Sequence, residues 1–215
     1  PGPSGAAPPY DLSVAGRGGR GRRAGRLCLA VAGVCAGTLV GCGPEAADQA
    51  AAQVSQLLDR RARAVLGHDE RTYLATGGAG HDPAAARRSA TSYDNLAAVP
   101  LGSWTYRVTD FQHTGSTARA DTELRYRIDG YDSAPVTTSR RLQLRRDDGR
   151  WYVTADRPAP HSSEQLWEQG RVVAVRGAHS LVLGVGQSTA RLKEFARLAD
   201  HAVPAVTDAW GRGNG

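Results

Sequence analysis

From residue 45 onward the apolar positions follow two different periods, and the switch between them organises the chain. Ala47, Ala51, Val54, Leu58, Ala62 and Val65 recur every three to four residues, which predicts a helix over 45–66 with one apolar stripe, ended by Gly67. Pro83, favoured in a first helical turn, opens a second predicted helix that runs to Ala98, with Tyr93 and Leu96 toward the core and Pro100 as the stop. Gly77 to Gly80, between the two, is expected to be a flexible loop. From Ser103 the period is two. Trp104, Tyr106 and Val108 alternate with polar residues, and Ala120, Thr122, Leu124, Tyr126 and Ile128 alternate with Arg119, Asp121, Glu123, Arg125 and Arg127. A third strand is expected over Val136–Arg146 through Leu142 and Leu144. Asp148-Gly149 is then a tight-turn signal into a fourth at Trp151–Thr154. Helices followed by a meander of antiparallel strands predict an α+β domain over 45–158, with the helices packed on one sheet face.

Arg157-Pro158-Ala159-Pro160 reads as a semi-rigid linker, and the segment 159–215 has its own pattern. Arg171–Arg176 and Ser180–Leu183 predict a β-hairpin turning near Gly177. Ser188 is an N-cap candidate for a helix with Leu192, Phe195, Ala199, Ala202 and Val206 on one stripe, which Pro204 is expected to kink or interrupt. A hairpin and one helix make too small a core to stand alone. The segment is expected either to pack onto the first domain or to open a longer second one.

Before residue 45 the pattern is different again. Pro1–Gly25 is rich in Pro, Gly, Ser and Ala and reads as a disordered stretch ending in an arginine cluster. Leu27–Val40 is an uncharged run of 14 residues. That is short of the ~20 a membrane-spanning helix needs and suited to the apolar region of a signal peptide. It closes on Leu39-Val40-Gly41-Cys42, which resembles the lipobox of bacterial lipoproteins. The resemblance implies diacylglyceryl transfer to the Cys42 sulfur and cleavage after Gly41, so that residues 1–42 form the leader and its lipidation point. Two or more acyl chains on one cysteine give a durable anchor where a single chain does not. The resulting expectation is a protein on the outer face of a bacterial cytoplasmic membrane. The alternatives are an ordinary secretory signal, or a short uncleaved anchor in which Cys42 is incidental. Arg22-Arg23 invites a twin-arginine reading, but Ala24-Gly25-Arg26 departs from that pattern and leaves the export route open.

Charge and cysteines sharpen this division. The chain has 27 basic and 21 acidic residues; with the leader's five arginines and single aspartate set apart, 22 and 20 remain. A nearly neutral body whose arginines alternate with acids argues against a nucleic-acid partner. Cys28, Cys35 and Cys42 are the only cysteines, so the body has no disulfide framework, cysteine-ligated zinc or cysteine nucleophile. The single Lys193, the lack of methionine and the wealth of Arg, Ala and Gly resemble proteins of GC-rich actinobacteria. A chain without an initiating methionine is expected to be incomplete at its N-terminus.

The order of helices and strands, and the stretch Leu144–Val153 (LRRDDGRWYV) in particular, resembles the nuclear transport factor 2-like (SnoaL-like) fold. That implies a curved sheet wrapped cone-like around a long N-terminal helix and a pocket. The family includes ketosteroid isomerases, polyketide cyclases and binding modules, so fold does not choose among them. An isomerase site would need a carboxylate base in an apolar pocket facing a tyrosine and an acid. Tyr73, Tyr93, Asp94, Tyr106 and Tyr126 offer the types without a spacing that selects a triad. Trp104, Tyr106, Tyr126 and Trp151 are kept as pocket candidates, although aromatic residues on an alternating face serve first as core.

Leu166–Gly184 (LWEQGRVVAVRGAHSLVLG) with Ala199–Gly211 (ADHAVPAVTDAWG) resembles the opening of a peptidase-MA-like gluzincin metalloprotease region. The zinc motif His-Glu-x-x-His is missing. His161-Ser162-Ser163-Glu164 lacks a partner histidine, the other histidines are single, and Gly184-Val185-Gly186 lacks the rest of a phosphate loop. No catalytic residue, metal ligand or cofactor follows. The function expected from sequence is a lipid-anchored, non-catalytic accessory or binding module. Its partners would be the membrane and either a small apolar ligand or another protein. The competing expectations are a complete ligand-binding lipoprotein and an isomerase or cyclase acting in the cone.

Overall fold

The computed structural model describes residues 44–78 and 82–211. Leu39, Val40, Gly41 and Cys42 lie outside them. Helix α1 (Pro44–Leu66) buries Ala50, Val54, Leu57, Leu58, Ala62, Ala64 and Val65. Ala47, expected on that stripe, is exposed. Alanines surround the first two turns, so the side that packs is set by the larger Val54, Leu57 and Leu58. Next comes α2 (Glu70–Thr76), a helix the sequence pattern did not predict because it is only two turns long. It is capped by Asp69, whose carboxylate accepts from the Thr72 N–H at 3.0 Å and the Thr72 hydroxyl at 2.7 Å. Helix α3 (Pro83–Ala97) starts as expected, with Asp82 accepting from the Ala84 N–H at 2.8 Å and Pro83 in the first turn.

Four antiparallel strands follow in a meander, β1 (Leu101–Thr114), β2 (Thr117–Ile128), β3 (Val136–Asp147) and β4 (Arg150–Pro158), in spatial order β1-β2-β3-β4. The architecture is α+β, with helices on a curved antiparallel sheet. The β3–β4 turn holds Asp148 at φ 46° and Gly149 at φ 75°, the paired positive values of the turn that matches strand twist.

The sheet's curvature comes from irregularities that alternation alone does not reveal. Register shifts leave Gly102 and Thr109 in β1, and Thr154 in β4, as extra residues opposite a shortened partner. Each bulge bends its strand and reverses which parity points inward. Trp104, Tyr106 and Val108 therefore share a face with Phe111 and His113, whose rings lie 6.2 and 6.3 Å from that of Trp151. Past Thr154, the inward side passes from Trp151 and Val153 to Asp156. The bulge hydroxyls bond across the ladder, Thr109 to the Asp121 carbonyl at 2.9 Å and Thr154 to that of Gln143 at 3.1 Å.

The inner face packs in two clusters. The first half of α1 lies over Ala118, Ala120, Leu142, Leu144, Trp151 and Val153. Its second half joins Tyr73, Tyr93, Leu96, Trp104, Leu124 and Tyr126. The linker expected at Arg157–Pro160 is shorter than that, because Arg157 and Pro158 still pair with Arg141 and Arg140, and the Ala159 N–H donates to the Ser139 carbonyl at 3.0 Å. Pro158 is tolerated as the last residue of a strand at the sheet edge.

Beyond it, a 3-10 turn (Leu166–Glu168) carries Trp167 into the second of these clusters, joined by Val172. The hairpin β5 (Val172–Arg176) and β6 (Leu181–Val185) then receives α4 (Thr189–Gly211) through Leu192 and Ala196 against Val175. Ser188 accepts from the Arg191 N–H at 3.3 Å, as an N-cap should. Pro204 does not interrupt α4. From His201 onward the helix is exposed, where a single missing hydrogen bond leaves a carbonyl that water can satisfy. No helix among the described residues is long and apolar enough to cross a membrane.

Candidate functional site

Where the second half of α1, α3, the sheet and the Leu166–Glu168 turn meet, they leave a cleft of about 730 Å³. Leu96, Trp104, Leu124, Val153 and Trp167 give it apolar walls. Its depth is polar. Arg61 comes from the buried stripe of α1, Arg140 from the inward parity of β3, Asp156 from beyond the β4 bulge and Glu168 from the 3-10 turn.

Arg140 is 3% exposed and lies between two carboxylates. Its Nε donates to Asp156 Oδ1 at 2.8 Å and its Nη1 to Glu168 Oε2 at 2.9 Å, while Nη2 reaches Glu168 Oε1. This is the bidentate fork for which a guanidinium is shaped. Burial works against the charge on Arg140, and the hydrogen bonds and charges of Glu168 and Asp156 more than offset it, holding its pKa above the ordinary arginine range. Glu168 Oε2 also accepts from the Gln165 N–H at 2.7 Å, closing a capping box that fixes the turn. Asp156 Oδ2 accepts from the Tyr106 hydroxyl at 3.2 Å. All four carboxylate oxygens are thereby engaged.

Arg61 is different. It is 4% exposed, donates from Nη1 to the Thr76 hydroxyl at 3.0 Å and from Nη2 to the Tyr73 hydroxyl, and has a buried Nε with no acceptor. Its guanidinium also lies 3.8 Å from the centre of the Tyr73 ring. Burial pushes the Tyr73 and Tyr106 hydroxyls above the usual phenol range; for Tyr106 the Asp156 charge adds to the effect and Arg61 opposes it. Both therefore stand as neutral hydroxyls at neutral pH. A second buried donor, the Trp104 Nε1–H, lies on the same wall beside the Tyr106 hydroxyl without a hydrogen bond of ordinary geometry.

Of the four pocket candidates, Trp104 and Tyr106 border the cleft. Tyr126 lies behind it, its hydroxyl donating to Gln165 Oε1 at 2.9 Å and its ring edge-on to Trp167 at 5.0 Å. Trp151 sits in the other core cluster beside Leu142 and Leu144. Among the residues weighed for an isomerase triad, Tyr73 reaches the cleft, Tyr93 packs on Tyr73 at 5.3 Å, and Asp94 is exposed. Of the cleft's carboxylates, Asp156 and Glu168 escaped the sequence reading, and Glu164 entered it only as the end of the His161–Glu164 string. The two arginines left a trace in it, since Arg61 interrupts the apolar stripe four residues after Leu57 and Arg140 shares its parity with Leu142 and Leu144. Among the described residues no group of three His, Cys, Asp or Glu is placed to hold a metal ion.

No family model matches the chain, and no curated protein matches its sequence. Solved structures similar to it include a Mycobacterium tuberculosis protein of unknown function (12% identity, 59% of this chain and 79% of that one, TM-score 0.42). A Nostoc punctiforme protein of unknown function with a cystatin-like fold aligns at 16% identity over 52% of this chain and 92% of its own, with a TM-score of 0.42. An NTF-2 like protein of unknown function from Shewanella oneidensis aligns at 15% identity over 50% and 96%, with a TM-score of 0.36. At these scores the likeness assigns the chain neither a family nor an activity.

Proposed function

We propose that this protein is a non-catalytic binding module that holds a small molecule with an apolar body in the cleft between α1, α3 and the sheet. The observation that carries the reading is the engagement of every carboxylate oxygen of Asp156 and Glu168. A general base works best from an oxygen free to take the substrate's proton, and here every carboxylate oxygen already accepts at least one hydrogen bond, from Arg140, Tyr106 or the Gln165 N–H. What is left for a ligand is a set of apolar walls and unmatched donors, the composition of a binding pocket.

The test is thermal unfolding of the purified full chain against a set of phenylalkyl and cyclohexylalkyl compounds. Concentration-dependent stabilisation by a subset is expected. Turnover of any such compound that Asp156→Asn abolishes while the melting curve is preserved would replace this reading with the isomerase-type one.

The same proposal places the module outside the cytoplasm, tethered through acylated Cys42 at the lipobox-like Leu39-Val40-Gly41-Cys42. Intact-mass analysis of membrane-extracted protein should find a chain that begins at lipidated Cys42. An unmodified Cys42 in exported protein would refute the tether. On the resemblance of Leu166–Gly184, the accessory role extends to a place beside a peptidase-MA-like metalloprotease. Zinc retained by this purified chain, or peptide hydrolysis by it, would contradict the silent part the chain is given there.

A further inference from the structure

Two parts of the fold meet without sharing a sheet. The body, 44–158, holds β1–β4, and the segment from Ala159 to α4 holds β5 and β6. After the Ala159 N–H, which donates to the Ser139 carbonyl, no backbone-to-backbone hydrogen bond joins the two among the described residues. Side chains hold them together. Trp167 stands against Trp104 and Tyr126 at 5.5 and 5.0 Å, Glu168 forks onto Arg140, and Val172, Leu183 and Val185 pack on the same cluster. Asn95 Nδ2 donates to the Trp167 carbonyl at 2.9 Å, the Tyr126 hydroxyl to Gln165 Oε1 at 2.9 Å and the Tyr131 hydroxyl to the Ser180 carbonyl at 3.0 Å. Each side also keeps a core that this contact does not touch. Leu192 and Ala196 of α4 rest on Val175, and Asp200 ties the helix to the hairpin turn through the Ala178 and His179 N–H groups. In the body, the cluster under the first half of α1 includes no residue beyond Val153. The chain turns off the sheet edge at His161, a non-glycine residue at φ 67°, in a sparsely populated backbone region.

We infer that residues 162–200 form a flap that undocks from the body as one cooperative unit, and that this flap gates the cleft. Partial opening of a protein follows supersecondary units and takes the less stable one first. Here the flap gives up side-chain contacts only, whereas opening the body breaks three ladders and the cluster under α1. Charge favours the same division. Of the two carboxylates on Arg140, Asp156 belongs to the body and Glu168 to the flap, so undocking carries Glu168 into water and leaves Arg140 its Asp156 partner. No buried charge is stranded in the open state. Glu164, Trp167 and Glu168 are walls of the cleft, and undocking removes them together. The gate stands on packing alone; what it admits rests on the binding-module reading. A ligand lying against Trp167 has its full contacts only in the docked state, so occupancy and docking favour each other.

The test is native-state amide hydrogen exchange on the purified full chain, in urea below the unfolding transition. Amides of β5, β6 and 189–200 are expected to share one opening free energy and one urea slope, both below those of β1–β4. Leu142→Ala weakens only the body. It should speed exchange in β1–β4 by more than about tenfold and change flap rates by less than about twofold. Glu168→Gln loosens the latch and should speed the flap by roughly 10- to 100-fold. Equal acceleration of flap and β1–β4 by Leu142→Ala means that the chain opens only as a whole, which overturns the inference, as do flap rates that Glu168→Gln leaves unchanged. Should Leu142→Ala fail to fold, the unaltered chain decides, and a flap slope equal to that of β1–β4 overturns the inference. These rates need no ligand, so they stand or fall apart from the thermal-unfolding test of binding. A phenylalkyl or cyclohexylalkyl compound that does stabilise the chain should slow flap exchange as its occupancy rises. A bound compound that leaves flap rates unchanged overturns the gate.

Discussion

Replacing Arg140 with methionine tests the physics of the cleft directly. The substitution keeps most of the side-chain volume and removes the donors that hold Asp156 and Glu168. Breaking a buried ion pair by deleting one partner costs about 3–5 kcal/mol, mostly because the other charge is left without compensation. Here two carboxylates are stranded, which pushes the cost upward. Their side chains are 17% and 16% exposed, so some water reaches them and draws it back toward about 3 kcal/mol. With a urea dependence of roughly 2 kcal/mol per molar, the unfolding midpoint should fall by about 1.5 M at unchanged slope. Adding Asp156→Asn and Glu168→Gln to Arg140→Met removes the stranded charges and should restore at least about half of the loss, since neutral replacements of a buried ionic group are often tolerated. Glu168→Gln alone keeps one acceptor and should cost about 1.5–3 kcal/mol, the worth of a hydrogen bond to a charged group. A midpoint shift below about 0.3 M for Arg140→Met, or no recovery in the triple variant, would show that the cluster is screened by solvent and refute the argument.

Three further outcomes are expected. Leu142→Ala, at a side chain 0% exposed between α1 and the sheet, should destabilise by about 2–5 kcal/mol in urea unfolding. Gly177→Ala would place a Cβ 2.3 Å from Asp200 Oδ2 and 2.5 Å from Ser180 Oγ, and should speed amide exchange in β5, β6 and the first half of α4 while sparing β1–β4. Asp200 accepts from the His179 and Ala178 N–H groups, which hold its carboxyl below the usual range. A carboxylate depressed in the folded state stabilises fully above the ordinary carboxylate pKa and loses that contribution as pH falls through its own lower value. Protection of the His179 amide should therefore decline below about pH 4, and an Asp200→Asn variant should lose that pH dependence.

The α+β order, α1, α3, the four strands and the β3–β4 turn were legible because each is a periodic run long enough to count, or a turn whose residues dictate the backbone. Asp148 and Gly149 are such a case. α2 was not legible, being seven residues held by the local Asp69 cap. The candidate site was legible by halves. Trp104 and Tyr106 keep the inward parity of β1 as far as the cleft requires, and Arg61 and Arg140 stand out as charges in apolar series. Tyr126 and Trp151 obey the same alternation, and yet one backs the cleft and the other packs under α1, since parity fixes a face and not a position along it.

By itself, then, the sequence determined the periods, the Ser188 cap, the tight turn and the near-neutral body. What only the tertiary structure decided is the chemistry of the cleft. Asp156 faces inward because the bulge at Thr154 reverses the alternation of β4, and Glu168 meets Arg140 because Trp167 anchors its turn in the core. A bulge depends on how two strands pair and an anchor depends on what is already packed, so neither is a property of the residues read in order.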